Sequence, residues 1–146
     1  AAVGEIGLDF YWDKTFIDQQ FEAFRMQIEL SLQYKLPIVI HTRNAMQETI
    51  DVVKEFVPRG VRGIFHCFGG TLENAREIIE VLEKIDLKHM VLETDSPYLT
   101  PVPFRGKRNE SSYIKYVAEK LALVKKVTVE EVAVVTTANA EKIFGL

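Results

Sequence analysis

The sequence predicts a parallel α/β fold, and three observations carry that prediction. Short apolar, strand-like runs alternate with amphipathic helical runs, the pattern of a parallel sheet covered by helices. Four of the strand-like runs end in a carboxylate or an imidazole: Val3-Gly4-Glu5, Ile38-Val39-Ile40-His41, Ile64-Phe65-His66 and Val91-Leu92-Glu93-Thr94-Asp95. The groups Glu5, His41, His66 and Asp95 lie 36, 25 and 29 residues apart, about one strand–helix repeat. Strands of a parallel sheet point the same way, so their C-terminal ends share one face, where active sites sit. Two carboxylates and two imidazoles converging there suit a divalent metal.

The elements follow in order. After the first strand and Asp9 comes an aromatic loop, Phe10-Tyr11-Trp12. A helix then carries Ile17, Phe21, Phe24, Ile28 and Leu32 on one stripe. Pro37 enters the second strand, where a first residue costs no ladder bond. Asn44 is placed to cap a second helix bearing Met46, Ile50, Val53 and Val57, which Pro58 and Gly60 end. A strand over 63–68 ends at Gly69-Gly70, and Thr71 opens a third helix burying Leu72, Ala75, Ile78 or Ile79, and Leu82. A fourth strand covers 90–95. Ser111 or Ser112 opens a helix with Ile114, Val117, Leu121 and Val124 on one face. Thr128 with Glu131 reads as a capping box for another helix, and a last short helix ends near Gly145. Phe56 and Phe65 are expected in the core, and His89 at the surface.

Composition narrows the class. With 146 residues, 47% hydrophobic and 27% charged, the chain fits one globular domain over 1–146. A net charge of −3 argues against a sequence-independent nucleic-acid coat but permits an enzyme that holds its substrate through metals and a local basic loop. The sequence shows no run long enough to cross a membrane and no leader-like start. Cys67 alone excludes an internal disulfide and reads as a small buried hydrophobe. Together these features predict a cytoplasmic protein with no membrane partner.

Each chemical group has a structural and a functional role open to it. Asp9 orients a ligand as an outer partner or caps the turn after its strand. Arg43 contacts a phosphate or pairs with Asp9. Glu93 and Asp95, two apart, share one strand face, and only one need bind metal. The loop Pro103-Phe104-Arg105-Gly106-Lys107-Arg108-Asn109-Glu110 sets three cations around a glycine before a helix, so it either receives an anion or is a solvated loop. Phe10, Tyr11 and Trp12 either stack on a base or lie as a lid on the helices.

Five words stand in one order: Gly4-Glu5-Ile6-Gly7-Leu8-Asp9, Ile40-His41-Thr42-Arg43, His66-Cys67-Phe68-Gly69-Gly70, Glu93-Thr94-Asp95-Ser96-Pro97 and the basic loop from Pro103 to Glu110. From about Val3 to the C-terminus they closely resemble the TatD family of metal-dependent deoxyribonucleases. The resemblance implies a TIM (β/α)8 barrel related to the amidohydrolases and divalent-metal-dependent hydrolysis of DNA phosphodiester bonds, with exonuclease action. It implies two divalent ions (Mg, Mn or Zn) bridged by Glu5, with His41 and His66 on one and Asp95 on the other. Asp95 would also accept a proton from the attacking water, and Asp9 and Glu93 would support the ligands. Arg43, Arg105, Lys107 and Arg108 would hold phosphates of a single-stranded DNA or a DNA end.

The chain also departs from the family pattern. No His-x-His pair occurs in it, and the early strands before the Gly-Glu-Ile-Gly word are absent. A glycine-rich strand that the family places before Leu87 is missing too, with its flanks joined near Glu80 and Val81. An incomplete set of barrel strands is therefore expected. Two other activities fit the ligands: ester or amide hydrolysis on the same barrel, as at an aminoacyl-tRNA link, or a fragment or binding domain with an incomplete site.

Overall fold

The computed structural model describes residues 1–66 and 85–146. Contacts group the chain into two compact units, Ala1–His66 with Ile143–Gly145, and Cys67–Lys142 with Leu146. Cys67, the Gly69-Gly70 turn, the helix expected after Thr71 and the Glu80–Val81 join lie outside the described residues.

The first unit is built as expected from βα repeats. Strands β1 (Val3–Asp9), β2 (Ile38–Arg43) and β3 (Gly63–Phe65) pair in parallel in that order. Helix α1 (Ile17–Tyr34) joins the first two strands, and α2 (Met46–Phe56) with a 3-10 turn at Val57–Arg59 joins the next two. Side chains alternate across each strand. Ile6 and Leu8 of β1 and Ile38 and Ile40 of β2 are buried with Phe24 and Ile28 of α1 and Val52 and Phe56 of α2. Each such side chain contributes about 1.5–3 kcal/mol by leaving water. Gly7 and His41 are register partners beyond that alternation, which leaves the other sheet face for chemistry.

Several expectations are corrected here. β1 does not end at Glu5 but runs on to Asp9, because its ladder with β2 continues to the Asp9–Arg43 pair. The register shifts between Gly4 and Ile6, so Glu5 is the extra residue of a bulge, a device that re-aims a side chain. Asn44 does not cap α2. It sits at φ 54, turning the chain out of β2, and Ala45 takes the cap position without a side-chain hydrogen bond. Phe65 is 39% exposed rather than core, since among the described residues only β2 flanks β3. Phe56 is buried, and the helix stop at Pro58 and Gly60 holds, with Gly60 at φ 84.

The second unit centres on Met90, Ala118, Leu121, Ala122 and Val132. Helix α3 (Ile114–Lys125) follows a 3-10 turn at Ser111–Tyr113, and α4 (Val129–Phe144) follows its Thr128 cap. The Glu131 N–H donates to Thr128 Oγ1 at 3.0 Å, as the capping pattern predicted. α4 runs unbroken to Phe144, so no separate last helix exists. On α3 the buried face is Ala118, Leu121 and Ala122, while Ile114 is 37% exposed. Leu121 of the expected face is buried, and small Ala118 and Ala122 complete that face in place of Ile114. Residues 90–95 form no strand among the described residues. The start of this segment is held by the Asn139 side-chain amide, which donates to the Leu87 and Met90 carbonyls at 2.9 and 2.7 Å. His89 is exposed, as expected.

Candidate metal centre

In the first unit the sequence-predicted groups meet as two pairs. Glu5, carried out of register by the bulge, brings Oε1 to 3.5 Å from His66 Nε2. His66 follows β3 directly, and its N–H donates to the Ile40 carbonyl at 2.8 Å, so the ladder with β2 fixes where the imidazole begins. The His66 side chain is 13% exposed, whereas Glu5 is about half exposed. In the second pair, His41 Nε2 on β2 lies 3.1 Å from Asp9 Oδ2 on β1.

Asp9 is the most connected of these groups. Its Oδ1 accepts the Tyr11 N–H at 2.9 Å, its own N–H donates to Gln20 Oε1 at 2.9 Å, and its carbonyl accepts from Gln20 Nε2 at 3.1 Å. It therefore both caps the turn and orients the imidazole, the two roles the sequence left open. Burial pushes its carboxyl up, but the Tyr11 N–H, the His41 hydrogen bond and the charges of His41 and Arg43 outweigh that and hold it below its ordinary value. The part of Gln20 was not visible in the sequence. A polar residue in the first turn of a helix after a strand was the only signal.

Gly7 makes the close approach possible. It has φ +146, and a Cβ on it would stand 1.9 Å from the His41 carbonyl oxygen. Only glycine satisfies both the angle and the space.

A carboxylate and an imidazole, as in the Glu5–His66 pair, have the donor chemistry of a divalent-cation site. Two ligand atoms bound to one ion at about 2.0–2.2 Å stand roughly 2.8–3.6 Å apart, in octahedral or tetrahedral array. The Glu5–His66 separation falls at the upper edge of that range. With Nε2 of His41 on a carboxylate, its Nδ1 is the nitrogen offered elsewhere, the arrangement in which an outer carboxylate fixes the tautomer of a ligand.

The second unit holds the other predicted residues. Glu93 and Asp95 are half-buried and lead into the turn where the Tyr98 N–H donates to the Asp95 carbonyl at 2.7 Å. The basic loop is a folded turn. Buried Asn109 pins it: its N–H donates to the Pro97 carbonyl, its side-chain amide to the Tyr98 carbonyl at 2.6 Å, and its Oδ1 accepts the Glu110 N–H. Phe104 stacks on Tyr113 at 4.6 Å, and Gly106 turns the chain at φ 85. Arg105, Lys107 and Arg108 are thereby presented to solvent from a fixed frame.

The family model for TatD-related DNases matches residues 1–81 and 71–145. The chain belongs to the TatD-related DNase family. A metal-dependent hydrolase of Bacillus subtilis named YabD is 44% identical over an alignment covering 99% of this chain and 65% of that protein. One named TatD from Mycobacterium tuberculosis is 35% identical and covered over 64% of its length. Among solved structures, the TatD homologue YJJV of Escherichia coli superposes with a TM-score of 0.85 at 25% identity, over 99% of this chain and 64% of that one. A TatD-family hydrolase from Entamoeba histolytica gives 0.75 at 25% identity, over 98% and 62%. The fold of this TatD-family chain is thus the α/β barrel of the metal-dependent hydrolases, represented among the described residues by three parallel strands. The chain spans about 65% of the length of the curated relatives it matches.

The gap expected inside the chain has support here. The YabD alignment runs over 166 positions against 146 residues, leaving at least 20 at which the relative has a residue and this chain has none. The family model matches in two stretches that overlap at residues 71–81, where the sequence placed the join.

Proposed function

We propose that this chain carries part of a divalent-metal-dependent phosphodiesterase acting on DNA, an exonuclease working from a single strand or an end. The observation that carries the proposal is the 3.5 Å approach of Glu5 to His66, set beside the Asp9-oriented His41 in a TatD-family chain. Glu5, His41 and His66 would hold one divalent cation, and Asp95 is the ligand candidate of the second unit. When bound, such cations supply Lewis-acid polarisation and activate water at neutral pH.

The chain's own residues do the rest. Asp9 keeps the His41 ring in one orientation, and Gln20 and the Tyr11 N–H keep Asp9 there. Asp95 accepts the proton of the attacking water, with Glu93 as its outer partner. Arg43 of the first unit contacts a phosphate of the substrate, and Arg105, Lys107 and Arg108 of the second unit contact phosphates as well.

The test is cleavage of labelled DNA, RNA and aminoacyl-tRNA side by side with Mg, Mn or Zn, for the wild type and Glu5→Ala. Metal-dependent loss of DNA, at least a hundredfold slower in the variant, is the expected result. Cleavage of aminoacyl-tRNA with DNA untouched, or undiminished turnover by Glu5→Ala, would refute the assignment.

A further inference from the structure

The loop after β1 separates its three aromatic residues. Phe10 is buried and packs on Phe21 with ring centroids 6.1 Å apart. Tyr11 and Trp12 go the other way and are 50% and 78% exposed. They meet edge to face, with centroids 4.8 Å apart and planes at 88°. The guanidinium carbon of Arg43 lies 3.7 Å from the Tyr11 ring centroid and 5.5 Å from that of Trp12. Two large rings left in water are not stabilising the core, yet they are held in place. The Tyr11 N–H is tied to Asp9, and Arg43 is the register partner of Asp9 on β2.

We propose that Tyr11, Trp12 and Arg43 form a platform for one unpaired nucleobase and its phosphate. The inference rests on the reading of the chain as a DNA phosphodiesterase, and it names how that substrate is gripped. An exposed indole offers a flat face on which any base stacks, and only an unpaired base has a face to offer in return. The guanidinium of Arg43 lies over the Tyr11 ring and carries N–H donors that suit phosphate oxygens. Base and phosphate recognition thus sit within one nucleotide of each other. They adjoin Asp9 and His41, so a strand seated here has its end beside the proposed metal centre. Selectivity for frayed or single-stranded ends follows from the platform and not from the metal ligands.

Trp12 is the sole tryptophan of the chain, so its emission reports this site directly. The experiment titrates the full chain, in chelator to prevent cleavage, with a short oligothymidylate and with an abasic oligomer of the same length and phosphate number. Saturable quenching by the oligothymidylate and none by the abasic oligomer is expected. No quenching by either, or equal quenching by both, would overturn the platform. As a second measurement, Trp12→Leu should bind labelled oligothymidylate about five- to a hundredfold more weakly by anisotropy. Its affinity for the abasic oligomer should hardly change, and unchanged affinity for oligothymidylate also overturns the proposal. Trp12 contributes nothing to the core, so the variant should retain its circular dichroism spectrum. The two readings fail separately. Base-dependent quenching without any DNA cleavage keeps the platform and removes the reaction. Cleavage without base-dependent quenching does the reverse.

Discussion

At Gly7, two strands approach more closely than a side chain would permit. A Cβ would meet the His41 carbonyl at 1.9 Å, and the φ of +146 is one that L-residues rarely adopt. Gly7→Ala should therefore destabilise the chain by about 2 kcal/mol or more, read as a lowered midpoint in urea unfolding. Asp9 acts in the opposite way, through the ring it holds rather than the space it leaves. Asp9→Asn keeps an acceptor for the Tyr11 N–H but removes the charge beside His41. Divalent-metal affinity should fall about 10–100-fold by calorimetry, with unfolding by urea little changed. At this scale the sequence singled out carboxylates and imidazoles near strand ends as candidates, and the structure brings Glu5 to His66 and Asp9 to His41. The sequence did not expose how they pair. The bulge that re-aims Glu5 depends on register between two strands, and the Gln20 brace on how α1 lies against β1, and neither is a local property.

The helices of the first unit are joined by two surface clamps. Arg25 grips Glu55 with bonds of 2.8 and 2.6 Å, and Arg59 forms a two-pronged pair with Glu29, one bond at 2.7 Å. The arginine hydrogen bonds lower both glutamates from their ordinary value of 4.5, despite a small opposing effect of burial. A carboxylate with a lowered folded-state pKa stabilises above its ordinary value, and that contribution is lost as pH falls through the lowered value. A Glu29→Gln, Glu55→Gln double variant should then melt below the wild type at neutral pH. The difference should close as pH drops below 4.5. A gap in Tm that stays constant with pH would show that the clamps act by packing alone. Elements with a single strong stripe, such as α1 with Phe24 and Ile28, were legible because 3.6-residue periodicity is local. On α3 the stripe of large apolar residues missed that the buried face is completed by the small Ala118 and Ala122 beside Leu121, because periodicity weights large side chains. Residues 90–95 have the composition of a strand but no ladder among the described residues, since a strand needs a neighbour as well as a sequence.

For the whole molecule, the ordered words of the sequence pointed to the family, and the match of the family model along the chain places it there. The discontinuity near residues 71–81 was legible for the same reason: a known order makes a missing piece visible. On the proposed reading, Glu5 and His66 of the first unit take part in holding a divalent cation. The direct test is Mn2+ binding to the purified full chain, followed by electron paramagnetic resonance, for the wild type, Glu5→Gln and His66→Gln. The account predicts saturable binding by the wild type and at least tenfold weaker binding by each variant, with helical content retained. Wild-type affinity in both variants would contradict it, because the Glu5–His66 pair would then be an ordinary hydrogen-bonded contact and not a metal site.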